Sequence, residues 1–181
     1  MATKDRSLLR PLDEAPAQVF VTNRLQVADI LDHVLRWTGP ADVWLATFSV
    51  SEEFLRHLHF LNDSEKRILS AQLIIDYKAA QKTMKLWEFI EQVFQASFMA
   101  DNHSKILLVA SPDRARLVSV ITSQNLTRGN RFESSFLTTD PVIFKSMLAD
   151  WNSIASHNSI PLDDFLRSTI EGNRELRFDF L

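Results

Sequence analysis

The sequence predicts an α/β domain: a mixed, mostly parallel β-sheet with helices on both faces. Three observations predict it. Short apolar runs alternate with helical patterns along the chain, the pattern of strands joined by crossover helices. Residues 43–49 (VWLATFS) are nearly all apolar or small, as a strand covered on both faces must be. Two later runs, 105–111 and 117–121, flank Pro112-Asp113. Strands separated by such a turn form a hairpin, so the sheet is mixed rather than wholly parallel.

Taken in order, residues 1–17 carry Pro11, Pro16 and mixed charges and read as an N-terminal arm. Residues 18–22 (QVFVT) are a short β-like run. From 26 to 37 the apolar positions Ala28, Leu31 and Leu35 suit a helix, which Gly39-Pro40 stops. After the 43–49 strand, Ser51 is a good N-cap, and Glu52 and Glu53 set negative charge at the positive end of a helix. Phe54, Leu55, Leu58 and Leu61 are its buried stripe, and Asn62-Asp63-Ser64 breaks it. A strand follows at 72–77 (QLIIDY). Met84, Trp87, Ile90, Val93 and Phe94 then mark a long amphipathic helix, and 97–100 a short strand. Beyond the hairpin, 134–138 is another strand. Asp140-Pro141 opens a helix whose inner face is Ile143, Phe144, Met147, Leu148, Trp151 and Ile154. Residues 158–181 form a tail: Pro161-Leu162-Asp163-Asp164 starts a short helix. Residues 175–180 (ELRFDF) alternate as a strand that needs its own or a partner's sheet. The central domain is thus 18–157.

A chain of 181 residues can bury one core, and 45% hydrophobic content is ordinary for a globular domain. There is no cysteine, so disulfides and thiolate metal sites are excluded. No His-x-x-x-His pair stands near a suitable acid, and no metal or cofactor is expected. A net charge of −3 gives no global attraction to DNA or RNA, though local phosphate binding stays open. No apolar run approaches the ~18 residues of a membrane span. The first sixteen residues lack the apolar stretch of a secretory signal. A cytoplasmic protein is expected.

The chemistry-bearing residues gather in one stretch. His103 and Lys105 are two apart in an expected strand, so their side chains leave one face. Ser123 and Asn125 repeat the spacing at the end of the next strand, and Glu133 follows. A nucleophile, a cation and amide and hydroxyl donors on one face suit an anionic phosphodiester. At these positions the chain resembles the phospholipase D superfamily, whose signature is His-x-Lys, four residues, Asp, then Gly-Ser-x-Asn and a later carboxylate. His103-x-Lys105, Ser123-x-Asn125 and Glu133 match; Ala110 stands in place of the Asp and Thr122 in place of the Gly.

The resemblance covers roughly residues 18–157 and implies the superfamily's fold. It also implies a site built from two motif halves. The chain holds one, so it implies a homodimer with the active site at the interface. One His103 would attack phosphorus and the other would protonate the leaving oxygen, then activate water. Lys105, Asn125 and Ser123 would bind the phosphate oxygens, and Glu133 would support an imidazole. No metal would be needed. Small single-motif members are nucleases, so nucleic acid is the implied substrate, with no membrane role. The alternative is a catalytically weak or inactive scaffold that binds nucleic acid or a protein partner, as Ala110 and Thr122 suggest. A subunit beside a separate motor chain is a third reading.

Elsewhere, His57 and His59 read as surface or partner-facing residues, and His33 and His157 have no companions. The four tryptophans fall at core or interface positions. Arg114, Arg116, Arg128 and Arg131 lie near the motif in sequence, as a polyanion grip or as solvated turn residues.

Overall fold

The structure, a computed structural model, describes residues 6–79 and 84–168. Its strands are β1 (Ala17–Thr22), β2 (Ala41–Thr47), β3 (Ile68–Asp76), β4 (Ala96–Ala100), β5 (Ile106–Ala110), β6 (Leu117–Thr122), β7 (Glu133–Thr138) and β8 (Ser159–Pro161). Its helices are α1 (Val27–Thr38), α2 (Glu52–His59), α3 (Trp87–Val93) and α4 (Pro141–His157), and residues 162–168 are also helical. The strands form one sheet in the order β1-β7-β6-β5-β2-β3-β4-β8.

The sheet is mixed, as the sequence implies, but it is mostly antiparallel. Among the described residues, only the β2–β3 and β3–β4 strand pairings are parallel, while five are antiparallel. Parallel neighbours need a long crossover. For these two neighbouring pairs the crossovers run through α2 and α3. From β5 to β7 the connections are short, and β1 closes the sheet against β7.

Local chemistry fixes the helix ends. The Asp29 carboxylate accepts from Gln26 N at 3.1 Å at the start of α1, and Gly39, at φ 71, ends it. Ser51 Oγ accepts from Phe54 N at 3.3 Å at the start of α2. The helix does not break at residue 62; it widens into a π-turn over Phe60–Ser64 that keeps Leu61 buried. Asp140 Oδ1 accepts from Val142 N and Ile143 N at 2.7 and 3.2 Å, which caps α4. The helix expected around residues 84–94 is shorter than its pattern, seven residues at Trp87–Val93. The alternating segment 175–180 lies outside the described residues. The short strand β8 was not anticipated; it pairs with β4 at Phe98–Ala100.

Two apolar layers sandwich the sheet. One packs α1, α2, α3 and the 162–168 helix through Ile30, Leu31, Leu55, Leu58, Ile90 and Leu162. Leu9 and Leu12 of the lead-in join this layer. The other layer packs α4 on Trp44, Ile74, Leu108, Ala110 and Leu117 through Phe144 and Trp151. Trp151 Nε1 donates to Leu45 O at 3.0 Å, which ties α4 to the central strand. Among the described residues, no helix is long and apolar enough to cross a membrane.

The register aligns one edge. Thr22 pairs with Glu133, Thr122 with Ser135, Ile121 with Ile106, Ile106 with Ala46, and Asp76 with Ala100. The segments after β1, β2, β3, β4 and β6 therefore emerge together at the carboxyl end of β2–β4.

Candidate active site at the carboxyl edge of the sheet

His103 and Lys105 sit on this edge, in the irregular lead-in to β5 rather than in the strand. What holds them together is therefore side-chain chemistry, not strand alternation. Asn102 is buried; its N–H donates to Asp76 Oδ2 at 2.9 Å and its Nδ2 to Thr47 O at 3.1 Å. Its carboxamide oxygen accepts from Ser104 N at 3.2 Å. With both neighbours pinned, the His103 ring is left exposed. Its ring meets Phe48 edge-on, with centroids 5.7 Å apart. Lys105 folds back, placing Nζ 3.3 Å from His103 Nδ1 and donating to His103 O at 2.6 Å.

Lys105 is held below the usual lysine pKa because burial strips water from the ammonium. The negative charges of Asp76 and Glu133 oppose that shift without cancelling it. Carboxylates of β3 and β7 thus both act on this cation.

Ser123 and Glu133 also meet. Ser123 Oγ donates to Glu133 Oε2 and accepts from Ser134 N at 3.0 Å. Arg131 Nε lies 3.6 Å from the other Glu133 oxygen. Thr122, in the position of the family's glycine, turns its side chain away from Ser123. Its hydroxyl donates to Ser134 O at 3.0 Å and lies 2.8 Å from Ser135 Oγ, stitching β6 to β7. Ala110 stands at the far end of β5, fully buried in the α4 layer.

Asn125 is placed differently. Its Oδ1 is buried without a hydrogen-bond partner. It lines a cavity of about 170 Å³ between the starts of α1 and α2, with Gln26, Ser51, His57 and Arg128 among the walls. His57 is half-buried there, its Nε2 2.9 Å from Asp32 Oδ1. It is therefore paired within the chain rather than presented to solvent.

The arginines near the motif in sequence divide. Arg114 pairs with Asp42 at 2.9 Å and stacks over Trp44, and Arg116 lies over Trp37. Both are at the opposite edge, because the β5–β6 turn points away from His103. Arg128 and Arg131 stay on the site's edge, paired with Glu53 and Glu133.

Sequence reasoning missed Asp76, Asn102, Thr47 and Phe48. Asp76 had a readable signal: an acid closing an otherwise apolar strand. Its side chain is 1% exposed and accepts from two backbone N–H groups, of Lys78 at 2.7 Å and Asn102 at 2.9 Å. Among the described residues, no group of three or more histidines and carboxylates is arranged to hold a metal. The edge presents an accessible imidazole, a cation beside it and a carboxylate–hydroxyl pair. Such groups can attack, protonate and neutralise an anionic ester.

The chain matches no protein-family model and no curated protein. Solved structures do resemble it. A phospholipase D family member, Nuc from Salmonella typhimurium, superposes with a TM-score of 0.58 at 13% identity, over 80% of this chain and 96% of that one. NucT from Helicobacter pylori gives 0.58 at 14%, over 81% and 98%. Polyphosphate kinase from Porphyromonas gingivalis gives 0.59 at 14%, over 83% of this chain but 29% of that one. The chain thus shares its fold with these phospholipase D family structures.

Proposed function

We propose that the chain is a phosphodiesterase of the phospholipase D type, a metal-independent nuclease that works through a phosphohistidine in a homodimer. The observation that carries this reading is the exposed His103 ring with Lys105 Nζ 3.3 Å from its Nδ1 at the carboxyl edge. The likeness to Nuc, over nearly all of that chain, supports it.

In this reading a phosphodiester seats between the His103 side chains of two copies. One imidazole forms a bond to phosphorus as the ester oxygen leaves, and the other protonates that oxygen. The second imidazole then takes a proton from water. The resulting hydroxide breaks the P–N bond, yielding a phosphomonoester and the free histidine. Lys105, with Ser123 and Asn125, neutralises the non-bridging oxygens, and Glu133 supports an imidazole.

The test is hydrolysis of bis-p-nitrophenyl phosphate and of single- and double-stranded DNA with EDTA present, alongside His103→Ala. Turnover that survives chelation and vanishes in the variant supports the reading; a folded dimer without turnover defeats it. The second reading, a binding scaffold with little activity, is favoured by Asn125, whose unpartnered oxygen lies in the cavity between α1 and α2. Oligonucleotide binding without cleavage would establish it.

A further inference from the structure

The cavity between the starts of α1 and α2 is walled by polar groups that are mostly engaged within the chain. Gln26 binds Gly129 through both ends of its amide. Ser51 Oγ donates to Leu126 O and accepts from Phe54 N, both at 3.3 Å. His57 faces Asp32, and Arg128 pairs with Glu53 at 3.0 Å. Asn125 differs, because its Oδ1 is buried with no hydrogen-bond partner. Buried acceptors are normally satisfied, so this one marks where a donor from outside the chain belongs. Val27, Ala28 and Phe54 make the rest of the wall apolar.

Size and charge define the occupant. Arg128 and Glu53 cancel, and an amide oxygen repels an anion, so the cavity itself has nothing to hold a phosphate. Its volume of about 170 Å³ is that of roughly six waters at ~30 Å³ each. That holds one planar ring and excludes a peptide or a second strand. A neutral ring with an N–H on its edge, set against Phe54, meets each of these limits.

We infer that this cavity takes one nucleobase of the substrate strand, with an N–H of the base donating to Asn125 Oδ1. Resting on the nuclease reading above, this adds a base subsite beside the phosphate. Cavity and catalytic edge are joined through one residue. Leu126 N donates to Thr47 Oγ1 at 3.2 Å, and Thr47 O accepts from Asn102 Nδ2 at 3.1 Å. Thr47 thereby ties the residue after Asn125 to the residue before His103. The two roles of Asn125 use opposite ends of one amide. Phosphate oxygens only accept and call on its N–H groups, whereas the base donates and calls on Oδ1. A base that turns its hydrogen-bonding edge to Asn125 has left its pair. The substrate at this position is therefore single-stranded, or has the base flipped out of the duplex. The cavity lies within one chain, so the subsite needs no second copy.

The experiment uses the full chain with Ala28→Phe, which fills the cavity, and Thr127→Leu, which narrows it from the loop. Neither residue takes part in the phosphate chemistry. Two single-stranded oligonucleotides of equal length are compared, one intact and one abasic, which keeps every phosphate and lacks the bases. Cleavage is measured directly, and binding by fluorescence anisotropy in a His103→Ala background. The wild type should prefer the intact strand by about five- to a hundredfold, the contribution of one base on an aromatic wall. Ala28→Phe should treat both strands alike while its turnover of bis-p-nitrophenyl phosphate is unchanged. If circular dichroism shows Ala28→Phe misfolded, Thr127→Leu decides. A wild type indifferent to the missing bases overturns the subsite, as does a folded variant that keeps the full preference. Should free cytidine or uridine raise the Tm while intact and abasic strands bind equally, the cavity belongs to a free nucleoside and the inference fails. Absence of turnover on bis-p-nitrophenyl phosphate defeats the catalytic reading alone, because the anisotropy ratio still decides the subsite.

Discussion

Replacing Asp76 by Asn changes one atom and tests how the edge is held. Asp76 accepts two backbone N–H bonds, at 2.7 and 2.9 Å, with its two carboxylate oxygens. Asparagine keeps one acceptor and turns the other into an NH₂ facing an N–H group. One bond to a charged acceptor, ~1.5–3 kcal/mol, is lost, and an N–H at a buried carboxylate is left unpaired, at ~1–3 kcal/mol. The two overlap, so a net loss of about 3 kcal/mol is expected. For a domain of this size that is about 6–12 °C in Tm. Urea unfolding monitored by tryptophan fluorescence measures it. The charge itself acts further off. Asp76 raises the Lys105 pKa, so its loss lowers a value that burial already depresses. An ammonium that neutralises phosphate must be protonated, so the alkaline limb of kcat/KM should move to lower pH in Asp76→Asn. A variant within ~0.5 kcal/mol of wild type, with its alkaline limb unmoved, would refute both the structural and the electrostatic role.

Other outcomes follow from the same geometry. Lys105→Arg, always charged, should abolish the alkaline limb that a depressed lysine creates, and Lys105→Ala should lower kcat/KM by about a hundredfold or more; a pH–rate series separates them. Ser123→Ala removes the link between Glu133 and Ser134 N and should cost about 1 kcal/mol of stability, with activity falling by a larger factor than stability implies. Introducing the signature's aspartate with Ala110→Asp should not raise activity. The site is fully buried among Trp44, Leu117 and Phe144, and an unpaired charge there costs on the order of 3 kcal/mol or more, visible as a lower urea midpoint. Trp151→Ala empties the largest buried site and frees Leu45 O; about 3–5 kcal/mol is expected.

Much of the fold was legible because the periodicities are clean. Residues 43–49 read as a doubly buried strand, and β2 is buried along nearly its whole length. Asp140-Pro141 announced α4 through its cap. The dominance of antiparallel pairs was not legible. Strand partners are set by the turns and by β1 returning to β7, and nothing in the QVFVT run says that its neighbour lies at residues 133–138. At the site, the residue types and spacing picked out His103, Lys105, Ser123 and Glu133, which the structure gathers on one edge. The spacing argument misjudged how His103 and Lys105 are presented, because Asn102 and Asp76 hold them in an irregular segment. Asn125 shows the limit of motif reading: a match in sequence does not fix which way an amide turns.

The pairing of β1 with β7 has a consequence for synthesis. Residues 17–22 wait for residues 133–138 before they can hydrogen-bond. At ~5–20 residues per second a ribosome needs roughly 6–23 s to deliver that partner. Throughout that interval the QVFVT run has no strand partner. Strand β1 is thus made well before the strand that pairs with it, and that edge of the growing sheet stays open through most of the sheet's synthesis.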